Sequence, residues 1–298
     1  MAVLPRPSAS LIVTSPLRNK PAAAAHNYRV LLVQRVSKGG GSFDGAHVFP
    51  GGIEDDQDHA NSQRLSQDAH KLCALRETFE ETGLLFTTPT KGHRPEDIAR
   101  DQPFHSICTE TEARPLNPRL FARWITPRAQ HRRFDTRFYM LNIADDDAFL
   151  LGQLASGSVQ TKELVKMGWF CPSDVLQANM RGEMPLFPPQ FSILHEMSRH
   201  KRWQDLAQCV GNEFDADAVE SNPVEPVLCR RSDGAVVALL PGDAKHGFGD
   251  AVEDADLFCS DRVAPGLQRL TMWPRAGGGG FDAISLLQTA GPIVAPRL

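Results

Sequence analysis

Glu77, Glu80 and Glu81 stand at i, i+3 and i+4, so on a helix they share one face. Leu72, Leu75 and Phe79 recur at helical spacing and lie opposite them, and Gly83 follows where a left-handed cap is favourable. Like charges at this spacing cost about 0.2–0.5 kcal/mol per pair even on an exposed helix. The helix C-terminus adds to the cost, because the macrodipole there favours cations. A hard divalent cation reverses the sign of both effects. Oxygen donors without Cys or His suit Mg2+ or Mn2+ better than zinc. On these residues alone a solvated acidic face is an equal alternative.

The flanks decide between them. His47-Val48-Phe49-Pro50-Gly51-Gly52 precedes the helix, and Leu84-Leu85-Phe86 after it reads as the start of a strand. With Arg76-Glu77-Thr78-Phe79-Glu80-Glu81-Thr82-Gly83-Leu84 between them, the segment resembles the Nudix box. The resemblance implies an α+β Nudix fold, a mixed β-sheet sandwiched between helices. It also implies a metal held by Glu77, Glu80 and Glu81, with Arg76 orienting that carboxylate cluster. Gly51 and Gly52 would bring backbone close to metal and substrate. The loop from Gly52 to Arg76 is roughly ten residues longer than the family's, an insertion that a surface loop tolerates. The family's loop Glu, eight positions before the Arg, is met by Asp68, with Glu54 and Asp55 as rivals.

The 298 residues suggest one large or two modest domains. Hydrophobic content of 41% and charged content of 23% are ordinary for a globular protein, and a net charge of −4 gives no reason to expect nucleic acid. No apolar run is long enough to span a bilayer. The six cysteines are scattered without a CxxC pair, which argues against a zinc site or a disulfide framework and for a reducing compartment. Cys73 reads as a buried inert thiol.

Ser8–Thr14, Tyr28–Arg35, Leu120–Ile125, Arg132–Leu141 and Glu163–Phe170 read as strands. Arg35, at the end of its strand, is either a phosphate contact or a solvated edge residue. Arg133, Asp135 and Arg137 alternate with Phe134, Thr136 and Phe138, as in a strand with one wet face. Arg133 and Arg137 would then face a polyphosphate in a cleft, or else pair with the acidic helix. Glu163 is a candidate further carboxylate, with a surface Glu as the alternative. Gly39-Gly40-Gly41 reads as a flexible turn and not a phosphate loop. Residues 53–67 read as an extended surface loop, residues 87–118 as an insertion, and Phe191–Leu206 as one amphipathic helix. The Nudix domain would occupy residues 1–209. Residues 210–298 read as a small β-rich C-terminal appendage built on hairpins.

The His47–Gly52 segment, the lengthened loop, Arg133-Phe134-Asp135-Thr136 and Pro188-Pro189-Gln190-Phe191 together resemble a Nudix subgroup that contains peroxisomal coenzyme A diphosphatases. The run Leu31-Leu32-Val33-Gln34-Arg35 meets that subgroup's coenzyme A signature only loosely. The resemblance implies hydrolysis of coenzyme A or acyl-CoA to 3′,5′-ADP and (acyl-)phosphopantetheine. A pyrophosphatase for NADH or ADP-ribose is the alternative, and a non-catalytic Nudix module that binds a nucleotide or protein is a second. Pro296-Arg297-Leu298 resembles a peroxisomal C-terminal signal, read by the import receptor, with the cytoplasm as the other location.

Overall fold

The computed structural model describes residues 3–17, 25–35, 45–88, 102–110, 114–143, 164–210, 215–251, 268–274 and 281–288. Glu163, the Gly39–Gly41 turn and Pro296-Arg297-Leu298 lie outside the described residues.

The central strand is β1 (Arg6–Pro16), whose run of apolar and small residues is buried almost throughout. It pairs parallel with β6 (Phe134–Asn142) along its length. On its other edge it pairs antiparallel with β2 (Tyr28–Arg35) and with β4 (Gly51–Ile53). The sheet order is β3-β2-β1-β6-β5, with β3 at His47–Val48 and β5 at Arg119–Ile125, and β7 (Leu164–Phe170) added to β2. The mixed sheet of the resemblance is therefore present.

Period-two alternation gives the sheet two apolar faces. Ala9, Leu11, Val13, Leu31 and Tyr139 pack with α2 (Ala69–Thr82) and α3 (Phe104–Glu110). Ile12, Val30, Leu32, Phe138 and Met140 pack with α4 (Pro172–Met180) and α5 (Pro188–Ser198). Leu84-Leu85-Phe86 is buried in the first of these cores but forms no strand; an isolated bridge from Thr87 to Pro115 follows it.

Two other expectations change. The helix expected over Phe191–Leu206 is broken into α5 and α6 (Trp203–Gln208). Asn27 fixes the break: its backbone N–H donates to the Lys201 carbonyl, and its side-chain oxygen accepts from the Trp203 N–H at 2.6 Å. The stretch after Ile53 is not a bare loop, because α1 (Asp56–Ser62) forms within it. Asp55 and Asp58 build a capping box there, each side chain accepting from the other's backbone N–H.

The C-terminal hairpins form a second, four-stranded sheet, in the order β11-β10-β9-β8. Its strands are β8 (Val227–Arg230), β9 (Val236–Leu239), β10 (Gln268–Pro274) and β11 (Phe281–Gln288). Val236, Ala238, Leu270, Met272 and Ile284 share one core with α4, α5 and the Nudix-type sheet. No described helix is long and apolar enough to cross a membrane.

Candidate active site

Helix α2 begins at its N-cap Asp68, whose side chain accepts from the His70 N–H. It ends on Gly83 at φ 71°, whose N–H donates to the Phe79 carbonyl. Asp68 is thereby a cap and not an outer ligand. Glu54 also turns away: its buried carboxylate lies against His70 and 3.1 Å from His59.

The residue that meets Arg76 is Asp58, fully buried, from α1. Arg76 Nε donates to Asp58 Oδ1 at 3.0 Å and Nη2 to Oδ2 at 2.8 Å, a bidentate fork. Nη2 also reaches the Ile53 carbonyl. Nη1 is left to donate to Glu77 Oε1 at 2.9 Å and to Glu80 Oε2 at 3.1 Å. One buried guanidinium thus sets the direction of two of the three box glutamates. Glu81 is set from the other side, since its Oε2 accepts from the Gly51 N–H at 3.1 Å. Residues 53–67 are therefore more than a surface loop: α1 supplies the carboxylate that holds Arg76.

Burial pushes the Asp58 carboxyl up, but hydrogen bonds from His105 and Arg76, with the Arg76 charge, outweigh it and hold Asp58 below the ordinary carboxylate value. Glu77 and Glu80 move the other way. Burial raises both, Arg76 offsets part of this, and neighbouring carboxylates add to the rise. The charged forms of Glu77 and Glu80 are thus less favoured than those of exposed glutamates. Burial pushes the Cys73 thiol far up, as suits an inert core residue.

Two sets of residues bear on a metal. Asp55, Asp58 and His105 bring ligand-type atoms within 4.8 Å of one another. Yet Asp58 Oδ1 already accepts from Arg76 and His105, and Oδ2 from Arg76 and the Asp55 N–H. With a guanidinium in place, that set is an ion-pair hub with little left for a cation. Glu77, Glu80 and Glu81 offer oxygen donors on one helix face, and a Cβ built at Gly52 would fall 2.3 Å from Glu77 Cδ. The absent side chain leaves room for that carboxylate; the three glutamates do not bring their oxygens all within 4.8 Å of one another, but an all-oxygen donor set is the kind a hard divalent ion takes.

The basic candidates separate. Arg35 is half-buried at the end of β2. Arg133 and Arg137 take their carboxylate partners from outside the acidic helix. Arg133 is buried and donates to Glu225, the Thr126 carbonyl and the Val3 carbonyl. Arg137 is buried against Glu220, beside Asp135. Their partners lie 92 and 83 positions away, beyond any local pattern. Asp58 had a local signal: it is three residues after Asp55, the capping-box spacing.

A family model described as the NUDT19 Nudix domain matches residues 56–199. The chain is 27% identical to a human protein named acyl-coenzyme A diphosphatase NUDT19, over 82% of this chain and 77% of that one. A Xenopus laevis protein of the same name is 24% identical, over 78% and 73%. Among solved structures, a Nudix hydrolase from Alicyclobacillus acidocaldarius superposes with a TM-score of 0.52 at 25% identity, over 68% of this chain and 95% of that one. With the box at 76–84 folded as a capped helix against a mixed sheet, these matches give the chain a Nudix fold and a likeness to the proteins named acyl-coenzyme A diphosphatase.

Proposed function

We propose that this chain hydrolyses the diphosphate bridge of coenzyme A or acyl-CoA, releasing 3′,5′-ADP and (acyl-)phosphopantetheine. The reading is supported by the family, whose members act on diphosphate linkages, and by the relatives named acyl-coenzyme A diphosphatase. The observation that carries it is the carboxylate face of α2, held by Arg76 and Gly51.

Glu77, Glu80 and Glu81 would hold Mg2+ or Mn2+. When bound, such an ion neutralises charge on the diphosphate and raises the acidity of an attacking water. Arg76 keeps Glu77 and Glu80 on one side of the helix while itself staying charged, because Asp58 and Glu77 stabilise the guanidinium more than burial disfavours it. Gly52 leaves the space that the Glu77 carboxylate occupies. Arg35 remains our candidate for a phosphate contact; Arg133 and Arg137 instead neutralise Glu225 and Glu220.

The test is kcat/KM for coenzyme A, acyl-CoA, NADH and ADP-ribose with Mg2+ or Mn2+, with products identified. A preference for a CoA species that yields 3′,5′-ADP supports the reading. Faster turnover of NADH or ADP-ribose moves the chain to the pyrophosphatase alternative. A peroxisomal address belongs to the same proposal: Pro296-Arg297-Leu298 reads as one only at a free C-terminus. Microscopy of an N-terminally tagged chain with and without these residues checks it.

A further inference from the structure

We propose that His105 is a positioning residue for the metal-binding carboxylates, acting through Asp58 and Arg76. The inference rests on the reading of Glu77, Glu80 and Glu81 as the metal site.

His105 lies on α3, in the stretch between the box and β5 that the sequence presents as an insertion. Its ring is buried, and its Nε2 stands 3.1 Å from Asp58 Oδ1. Asp58 is held ionised and therefore only accepts, so the hydrogen sits on His105 Nε2. Among the described residues, Nδ1 is buried without a hydrogen-bond partner. A buried, unsatisfied ring nitrogen is uncommon and points to a use for the other one.

That use follows from the geometry. Asp58 Oδ1 is shared between His105 Nε2 and Arg76 Nε. A donor from each side fixes the carboxylate plane, and the fork fixes the guanidinium plane with it. The direction of Nη1, and so the placing of Glu77 and Glu80, depends on that plane. Phe104 holds α3 against Phe79 of α2, with ring centroids 6.3 Å apart. The insertion thus reaches the reaction centre by a chain of hydrogen bonds, without touching the proposed metal ligands.

Outer partners of ligating carboxylates are worth about 10–100-fold in metal affinity or activity. Calorimetric titration of the purified full chain with Mn2+ alone should show affinity about 10-fold weaker or worse in His105→Ala. His105→Gln, which keeps a donor at comparable reach, should bind close to wild type. Under CoA turnover, kcat should fall by about the same factor while KM changes less than about 3-fold. Phe104→Leu loosens the packing of α3 and leaves the donor, so its Mn2+ affinity should stay near wild type. Unchanged Mn2+ affinity in His105→Ala overturns the proposal, as does an equal loss in Phe104→Leu. If His105→Ala fails to fold, His105→Asn takes its place, expected to lose affinity because its amide is too short to reach. Wild-type protein that binds Mn2+ but leaves CoA intact sinks the substrate reading alone, and the titration still decides the role of His105. Wild-type protein that binds no Mn2+ overturns both.

Discussion

A Cβ at Gly52 would meet the Glu77 carboxylate, the movable end of a side chain, whereas one at Gly51 would stand 2.3 Å from the Ala9 carbonyl and 2.6 Å from Ser10 Cα. Gly51 also holds φ 155°, where other residues are strained. Gly52→Ala should therefore keep its melting temperature within a few degrees and lose at least about 10-fold in kcat, because Glu77 is displaced. Gly51→Ala should lose stability, as backbone of β1 must move. Calorimetric melting and initial rates separate the two outcomes. Glu81→Gln removes one ligand charge and leaves the Gly51 N–H an oxygen to donate to, so kcat should fall by orders of magnitude with little change in melting. Near-wild-type turnover at saturating Mg2+ would show that Glu81 is not a ligand. The shared face of Glu77, Glu80 and Glu81 was legible in the sequence because it depends on helical spacing alone. The tie of Arg76 to Asp58 is not legible in the family spacing, because the inserted residues put Asp58 18 positions before Arg76. The donor from His105 comes from α3, 47 positions beyond Asp58.

Among the elements, α2 was read from its apolar stripe and Gly83 because both are local. The gap between α5 and α6 was not, because Asn27, which caps α6, lies 176 positions earlier. Leu84-Leu85-Phe86 shows that an apolar run can be core without strand pairing. In the second sheet, Asp243 and Arg269 form a buried pair, with Arg269 Nε donating at 2.8 Å and the Gln268 N–H at 2.9 Å. Burial pushes the Asp243 carboxyl up, but the Arg269 hydrogen bond and backbone donors outweigh it and leave the folded pKa low. A depressed carboxylate contributes stability that is present above its unfolded value and lost as pH falls through the folded one. This sheet should accordingly lose stability in acid below about pH 4, the ordinary carboxylate value. Asp243→Ala takes a carboxylate partner from the buried Arg269, and breaking such a pair should cost about 3–5 kcal/mol. The gap between denaturant melts of wild type and variant should narrow as pH falls from about 7 to about 3, towards protonation of Asp243. A constant gap across that range would contradict the assignment.

At the scale of the molecule, the change of sequence character near Val210 does not mark a physical seam. Val224 continues the pairing at Trp124, Glu220 and Glu225 neutralise Arg137 and Arg133, and Leu186 bridges to Phe281. A chain ended at residue 209 would strip buried arginines of their carboxylates and expose the core face of α4 and α5. It should be recovered largely insoluble or without a cooperative melt; a stable, active fragment would restore the picture of a separable appendage. The account as a whole stands on the carboxylate face of α2 as the metal centre, and anomalous scattering from a crystal soaked in Mn2+ tests that most directly. The account predicts a peak ligated by Glu77, Glu80 and Glu81, beside Gly52. A peak on Asp55, Asp58 and His105 instead, or no peak at the α2 face at saturating Mn2+, would contradict it.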